Sequence, residues 1–162
     1  VANQTDREIA VQFLNGIQAE IVNKHEALGQ KASGETIQAL RVEPTEKGGI
    51  LFGPEHLFAL ETGRGPTKGG GAGGGQSLQS RIFDWLQFKK YGINYENTQE
   101  RKSISFAIAK TIHEKGTKLF RDRANSGLLT DIITANRLAA MTGAFGRNKA
   151  TGITSDILPA FK

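Results

Sequence analysis

Glu35-Thr36-Ile37-Gln38-Ala39-Leu40-Arg41-Val42-Glu43-Pro44-Thr45, followed by Glu46-Lys47-Gly48-Gly49 and then Ile50-Leu51-Phe52-Gly53, separates an all-helical chain from an α+β one. Ile37, Ala39, Leu40 and Val42 recur without helical spacing, and Pro44 closes the run, so Glu35 to Thr45 reads as a strand. The glycine pair reverses the chain, and Ile50-Leu51-Phe52 reads as a second short strand. Residues 36–53 therefore predict an antiparallel hairpin.

Helical signals flank it on both sides. Thr5-Asp6-Arg7-Glu8 is a capping box, in which the Thr5 hydroxyl serves the Glu8 N–H and the Glu8 carboxylate serves the Thr5 N–H. Ile9, Phe13, Ile17 and Ile21 follow in line, with Ala10, Leu14 and Leu28 widening the apolar face, so a helix is predicted over 6–28. Gly29 is placed to end it in the left-handed region. Gly53-Pro54 stops the second strand, with Pro54 suited to the first position of a short helix carrying His56, Leu57, Phe58 and Leu60. Ser77 caps a helix over 78–90 whose Leu78, Ile82, Trp85, Leu86 and Lys89 share a face. Asn97 and Glu100 open another over 98–115, with Ile104, Ala107, Ile108, Thr111 and Ile112 as its stripe and Gly116 as its end. The fold class expected is α+β, with the N-terminal helix and two further helices packed on a small, mainly antiparallel sheet.

Two segments lack such patterning. Residues 63–77 hold eight of the chain's 20 glycines and no apolar residue larger than Pro, which predicts a long flexible loop. Leu128, Leu129, Ile132, Ile133 and Leu138 permit a helix, whereas 143–162 alternates Gly, polar and apolar residues and reads as a strand or as a C-terminal arm reaching a neighbouring copy. With 162 residues, 1–162 is read as a single domain.

Composition removes several classes of function. Zero Cys excludes disulfides, a thiol nucleophile and thiolate metal sites, and three scattered His leave little for zinc. No run approaches the roughly 20 apolar residues of a membrane span, and no basic region precedes an apolar stretch at the start, so the chain reads as soluble and unsecreted. Net charge is +5, yet residues 1–62 hold 5 Lys/Arg against 9 Asp/Glu while 63–162 hold 16 against 7. An acidic half and a basic half suit head-to-tail self-association, and equally a basic surface facing nucleic acid.

Catalytic and ligand motifs are incomplete. Gly70 to Ser77 fits the glycine spacing of a phosphate loop, but Gln76 stands where the lysine belongs. His25-Glu26 and His113-Glu114 lack the second His of a zinc-binding pair, and both sit near predicted helix ends, where His favours the dipole. His56 with Glu55 and Glu61 resembles an acid/base group without a nucleophile. No catalytic residue, cofactor or metal is expected. Arg64, Lys68, Arg81, Lys89, Lys90, Arg101 and Lys102, with Trp85, Phe88 and Tyr91 among them, read either as a phosphate surface with stacking aromatics or as solvated charges around core aromatics.

Leu51-Phe52-Gly53-Pro54, then Leu60-Glu61-Thr62-Gly63-Arg64-Gly65-Pro66, then Ser105 to Thr117 ending in Gly116-Thr117, resembles the head-to-tail joining proteins of tailed bacteriophages. In that neck, tail-completion and tail-terminator family an aliphatic-Glu-x-Gly-x-x-Pro segment enters a flexible loop and a later helix ends in Gly-Thr. The likeness covers about residues 36 to 120, and the glycine run and the last 40 residues depart from it. It implies a non-enzymatic structural virion protein, assembled in the host cytoplasm, forming a six- or twelve-fold ring at the neck. Its partners would be further copies of itself, portal, adaptor or tail proteins, and transiently the packaged DNA, with no membrane. Glu61, Arg64, Pro66, Lys68 and Arg81 are the expected subunit or channel contacts, and Glu61→Arg is expected to block assembly while leaving the monomer folded. The other reading is a small basic nucleic-acid-binding module.

Overall fold

The computed structural model describes residues 4–67, 77–88 and 97–157. Its elements are α1 (Asp6–Ala27), α2 (Glu35–Gln38), β1 (Arg41–Pro44), β2 (Gly49–Phe52), α3 (Leu57–Thr62), α4 (Leu78–Leu86), α5 (Thr98–Lys115), α6 (Lys118–Arg121) and α7 (Ala135–Ile157). The α+β class is thus the class of the fold, with one two-stranded antiparallel sheet among the described residues. No helix described is long and apolar enough to cross a membrane. The chain divides into two compact units, the first made of residues 1–29, 37–54 and 127–162 and the second of 30–36 and 55–126.

In the first unit α1 begins with the capping box read from the sequence: Glu8 N–H donates to Thr5 Oγ1 at 3.2 Å and Thr5 N–H to Glu8 Oε2 at 2.7 Å. Gly29, at φ 64°, ends the helix as expected. Ala10, Ile17 and Ile21 on α1, together with Leu40, Leu128 and Ile132, are its buried apolar residues. Full burial of one such Ile or Leu stabilises the fold by roughly 1.5–3 kcal/mol. The hairpin pairs Arg41 with Phe52, Val42 with Leu51, Glu43 with Ile50 and Pro44 with Gly49, and α1 packs against both strands.

Two sequence-based expectations are corrected. The strand read from Glu35 begins only at Arg41, because Gly34 at φ 90° and Ser33, whose Oγ accepts the Glu35 N–H at 3.4 Å, turn the chain into the one-turn helix α2. The terminal segment read as a strand or arm is helical through Ile157. Thr134 Oγ1 caps the Arg137 N–H at 3.3 Å, and the helix-forming Ala, Leu, Met, Arg and Lys outweigh the interspersed glycines. Helix α7 lies along α1, joined by Arg137 Nη1 to Glu20 Oε2 at 2.5 Å and Lys149 Nζ to Asp6 Oδ2 at 2.6 Å. Residues 158–162 lie outside the described residues.

The second unit is built on the α4–α5 pair. Ser77 Oγ accepts the Ser80 N–H at 3.2 Å, and Asn97 Oδ1 accepts those of Gln99 and Glu100, each at 3.1 Å. Ile82, Leu86 and Ala109 form the buried cluster, with Leu78, Trp85, Ile104, Ile108 and Ile112 packed around it. The α4 and α5 helices, expected on the sheet, pack on each other in this unit. Helix α4 stops at Leu86, short of residue 90, and on α5 Ser105 and Ala109 take the buried positions while Ala107 and Thr111 are exposed. Pro54 precedes α3 by a turn and His56 occupies the cap position.

Candidate functional site

Helix α3 ends at Gly63, whose N–H bonds Ala59 O, and the chain then leaves as an extended strap, residues 63–67. Helix α5 ends at Gly116, whose N–H bonds Ile112 O at 2.9 Å, and Thr117 opens α6. These two corners, some fifty residues apart in sequence, are fastened to each other. Thr117 N–H donates to Arg64 O at 2.8 Å, and Arg64 N–H donates to Thr117 Oγ1 at 2.9 Å. Farther along, Thr67 N–H donates to His113 O at 3.0 Å and the Thr67 hydroxyl meets His113 Nδ1 at 3.0 Å. At the other end Ser126 N–H donates to Glu61 O at 2.8 Å, and Ser126 Oγ donates to Glu61 Oε2 at 3.0 Å.

Glycine is what makes this approach possible. Gly63 (φ 79°, ψ 172°) and Gly116 (φ 77°, ψ 178°) both occupy backbone space essentially reserved for glycine. A Cβ on Gly63 would stand 2.5 Å from Phe120 N and from Thr117 Oγ1. One on Gly116 would stand 2.8 Å from Arg64 O and from Phe120 Cδ1, and one on Gly65 would press the Phe120 ring at 3.1 Å. The Leu-Glu-x-Gly-x-x-Pro and Gly-Thr motifs are therefore two halves of one structure, a strap locked onto the α5–α6 corner.

The residues expected to make contacts are placed differently from one another. Arg64 and Pro66 are exposed on the strap. Glu61 is 3% exposed and is occupied with Ser126, so within the folded chain it is a fastening of the strap and offers no surface to a neighbour. The substitution Glu61→Arg is accordingly expected to unfold the site, contrary to the sequence-based expectation of a folded, assembly-defective monomer. Arg81 is exposed on α4, lining a groove with Asp84, Trp85, His56 and Glu35, and no hydrogen bond or ion pair among the described residues ties it to the strap. Lys68, residues 69–76 of the glycine loop, Lys89, Lys90 and Tyr91 lie outside the described residues.

Other candidates separate as well. His56 Nε2 meets Thr36 Oγ1 at 2.8 Å while Glu61 is engaged with Ser126, so the two do not form an acid/base pair. Trp85 packs on the α4–α5 core, whereas Phe88 is 49% exposed. Arg101, counted among the surface cations, lies with its Cζ 3.9 Å over the Phe83 ring. Among the described residues no three His, Cys, Asp or Glu side chains gather in a metal-binding group. Phe120 and Ser126 are invisible as site residues in the sequence: a single Phe in a weakly patterned stretch and a Ser before a Gly carry no signal of a partner about sixty residues away.

Charge follows the units better than the halves of the sequence. The first unit holds eight Lys/Arg and eight Asp/Glu, the second thirteen against eight, so the whole surplus of +5 belongs to the second. In the first unit acidic groups of α1 are met inside the chain by Arg137 and Lys149 of α7, and Lys24 of α1 pairs with Asp131.

Comparison with protein-family models, with curated proteins and with solved structures finds no match to this chain.

Proposed function

We propose that this chain is a structural virion protein that forms a ring at the head-to-tail junction of a tailed bacteriophage, with DNA passing through it. The observation that carries the reading is the strap: the two motifs of the resemblance, separate in sequence, are joined by the paired hydrogen bonds between Arg64 and Thr117. Arg64 and Pro66 are exposed on that strap, as a subunit contact requires. Large exposed apolar side chains on the same unit, Phe58 at 69% and Phe106 at 58%, are further material for association. In this reading the copies associate with one another and with portal, adaptor or tail proteins.

Deleting the coding sequence from a phage that carries it, with complementation in trans, tests the proposal. Filled heads and free tails that fail to join are expected, and normal yields of tailed particles from the deletion would refute it.

The second reading, a nucleic-acid-binding module, is favoured by the concentration of the +5 surplus in one unit. It requires tight duplex binding by the monomer that falls steeply with salt. A junction protein binds free duplex weakly at any ionic strength near the physiological one.

A further inference from the structure

The two edges of the hairpin are unequal. The Thr45 N–H donates to Gly48 O at 2.9 Å, which makes Thr45 and Gly48 a hydrogen-bonded pair and fixes the alternation along the ladder. Glu43 with Ile50 and Arg41 with Phe52 then bond inward to each other. The Val42 N–H and the carbonyls of Val42 and Pro44 point out from β1, and the N–H and carbonyl groups of Gly49 and Leu51 point out from β2. Proline has no N–H to offer, so the β1 edge is closed at Pro44 to an added strand. The charged Arg41–Glu43 pair, 2.6 Å apart on its solvent face, adds to that protection.

The β2 edge has none of these devices. Gly49-Ile50-Leu51-Phe52 carries no charge and no proline, and Gly49 and Leu51 make no outward hydrogen bond among the described residues. The face holding Gly49 and Leu51 is the one turned to α1, since a Cβ on Gly49 would stand 3.0 Å from Leu14 Cδ1. Ile50 lies on the opposite face and is 48% exposed.

We infer that β2 is a self-pairing edge, which takes β2 of a second copy of this chain, antiparallel, about a two-fold axis at Ile50. The register follows from the free groups. Pairing Gly49 with Leu51 of the second copy, and Leu51 with its Gly49, uses every outward amide and carbonyl of the strand, each pair exchanging two hydrogen bonds. It sets Ile50 against Ile50 across the axis, covering the exposed apolar side chain with its own copy and opposing no like charges. Leu51 of each copy comes beside a glycine, which leaves room for it. The contact is isologous, whereas a ring closes through heterologous ones, so it stands or falls separately from the junction reading.

The test uses the full chain in a concentration series, read by sedimentation and by amide hydrogen exchange. On association the Gly49 and Leu51 amides are expected to slow while the Val42 amide, on the closed edge, does not. Ile50→Lys is expected to weaken self-association by at least about tenfold with the thermal midpoint unchanged. An equimolar mixture of Ile50→Lys and Ile50→Glu chains is expected to restore it as mixed pairs. A chain that stays monomeric throughout, an association that leaves Leu51 exchange unchanged, or undiminished association of Ile50→Lys would each overturn the inference.

Discussion

Gly63 and Gly116 carry more of the candidate site than any charged residue, because both hold backbone angles closed to other residues and both would collide with backbone atoms across the strap. Gly63→Ala and Gly116→Ala are each expected to cost about 2–3 kcal/mol, read as a lower urea midpoint. Gly146→Ala on α7, where nothing stands within 4 Å of the new Cβ, is expected to gain roughly 0.5–1 kcal/mol in the same measurement. Glu61→Ala removes the buried carboxylate that accepts the Ser126 hydroxyl, leaving the backbone bond from the Ser126 N–H in place, and should cost about 1–3 kcal/mol. Glycines at helix ends are visible in a sequence as stops. That two of them face each other is a tertiary fact, and the burial of Glu61 is hidden for the same reason: a carboxylate in a charged motif reads as surface until its partner, Ser126, is known.

The helix starts were legible because caps are local chemistry: Thr5, Ser77 and Asn97 each bond amides two or three residues ahead. The Glu35–Gln38 turn and α7 were not, since a four-residue helix has no period to detect and α7 is held by long-range partners on α1. Those partners predict a pH response. The Asp6 carboxyl is held below its ordinary 3.8 by hydrogen bonds from Lys149 and then Asn148, and Glu20 below its ordinary 4.5 by the hydrogen bond from Arg137. With folded values lowered, their stabilisation is whole at neutral pH. As pH falls below the ordinary values the unfolded chain takes up protons first, and the contribution is lost as pH passes through the folded ones. An Asp6→Asn, Glu20→Gln double variant is expected to show a flatter fall in thermal midpoint across that acid range than the unaltered chain. Equal slopes for the two would mean that the ion pairs between α1 and α7 add nothing in solution.

For the whole molecule, the sequence supplied the class and the motifs, but its acidic and basic halves dissolve into a neutral unit and a basic one once the chain folds. Asp6 and Glu20 of α1 are met by Lys149 and Arg137 of α7 within the same chain, and the charge surplus lies in the second unit. In the proposed reading, the strap with the exposed Arg64 on it is the place for a subunit or channel contact. The most direct test of a ring-forming junction protein is native mass spectrometry of the purified chain over a concentration series near physiological ionic strength, with and without a short DNA duplex. One closed oligomer of fixed stoichiometry, unchanged by the duplex, is expected; a monomer that saturates with duplex would contradict a ring-forming junction protein.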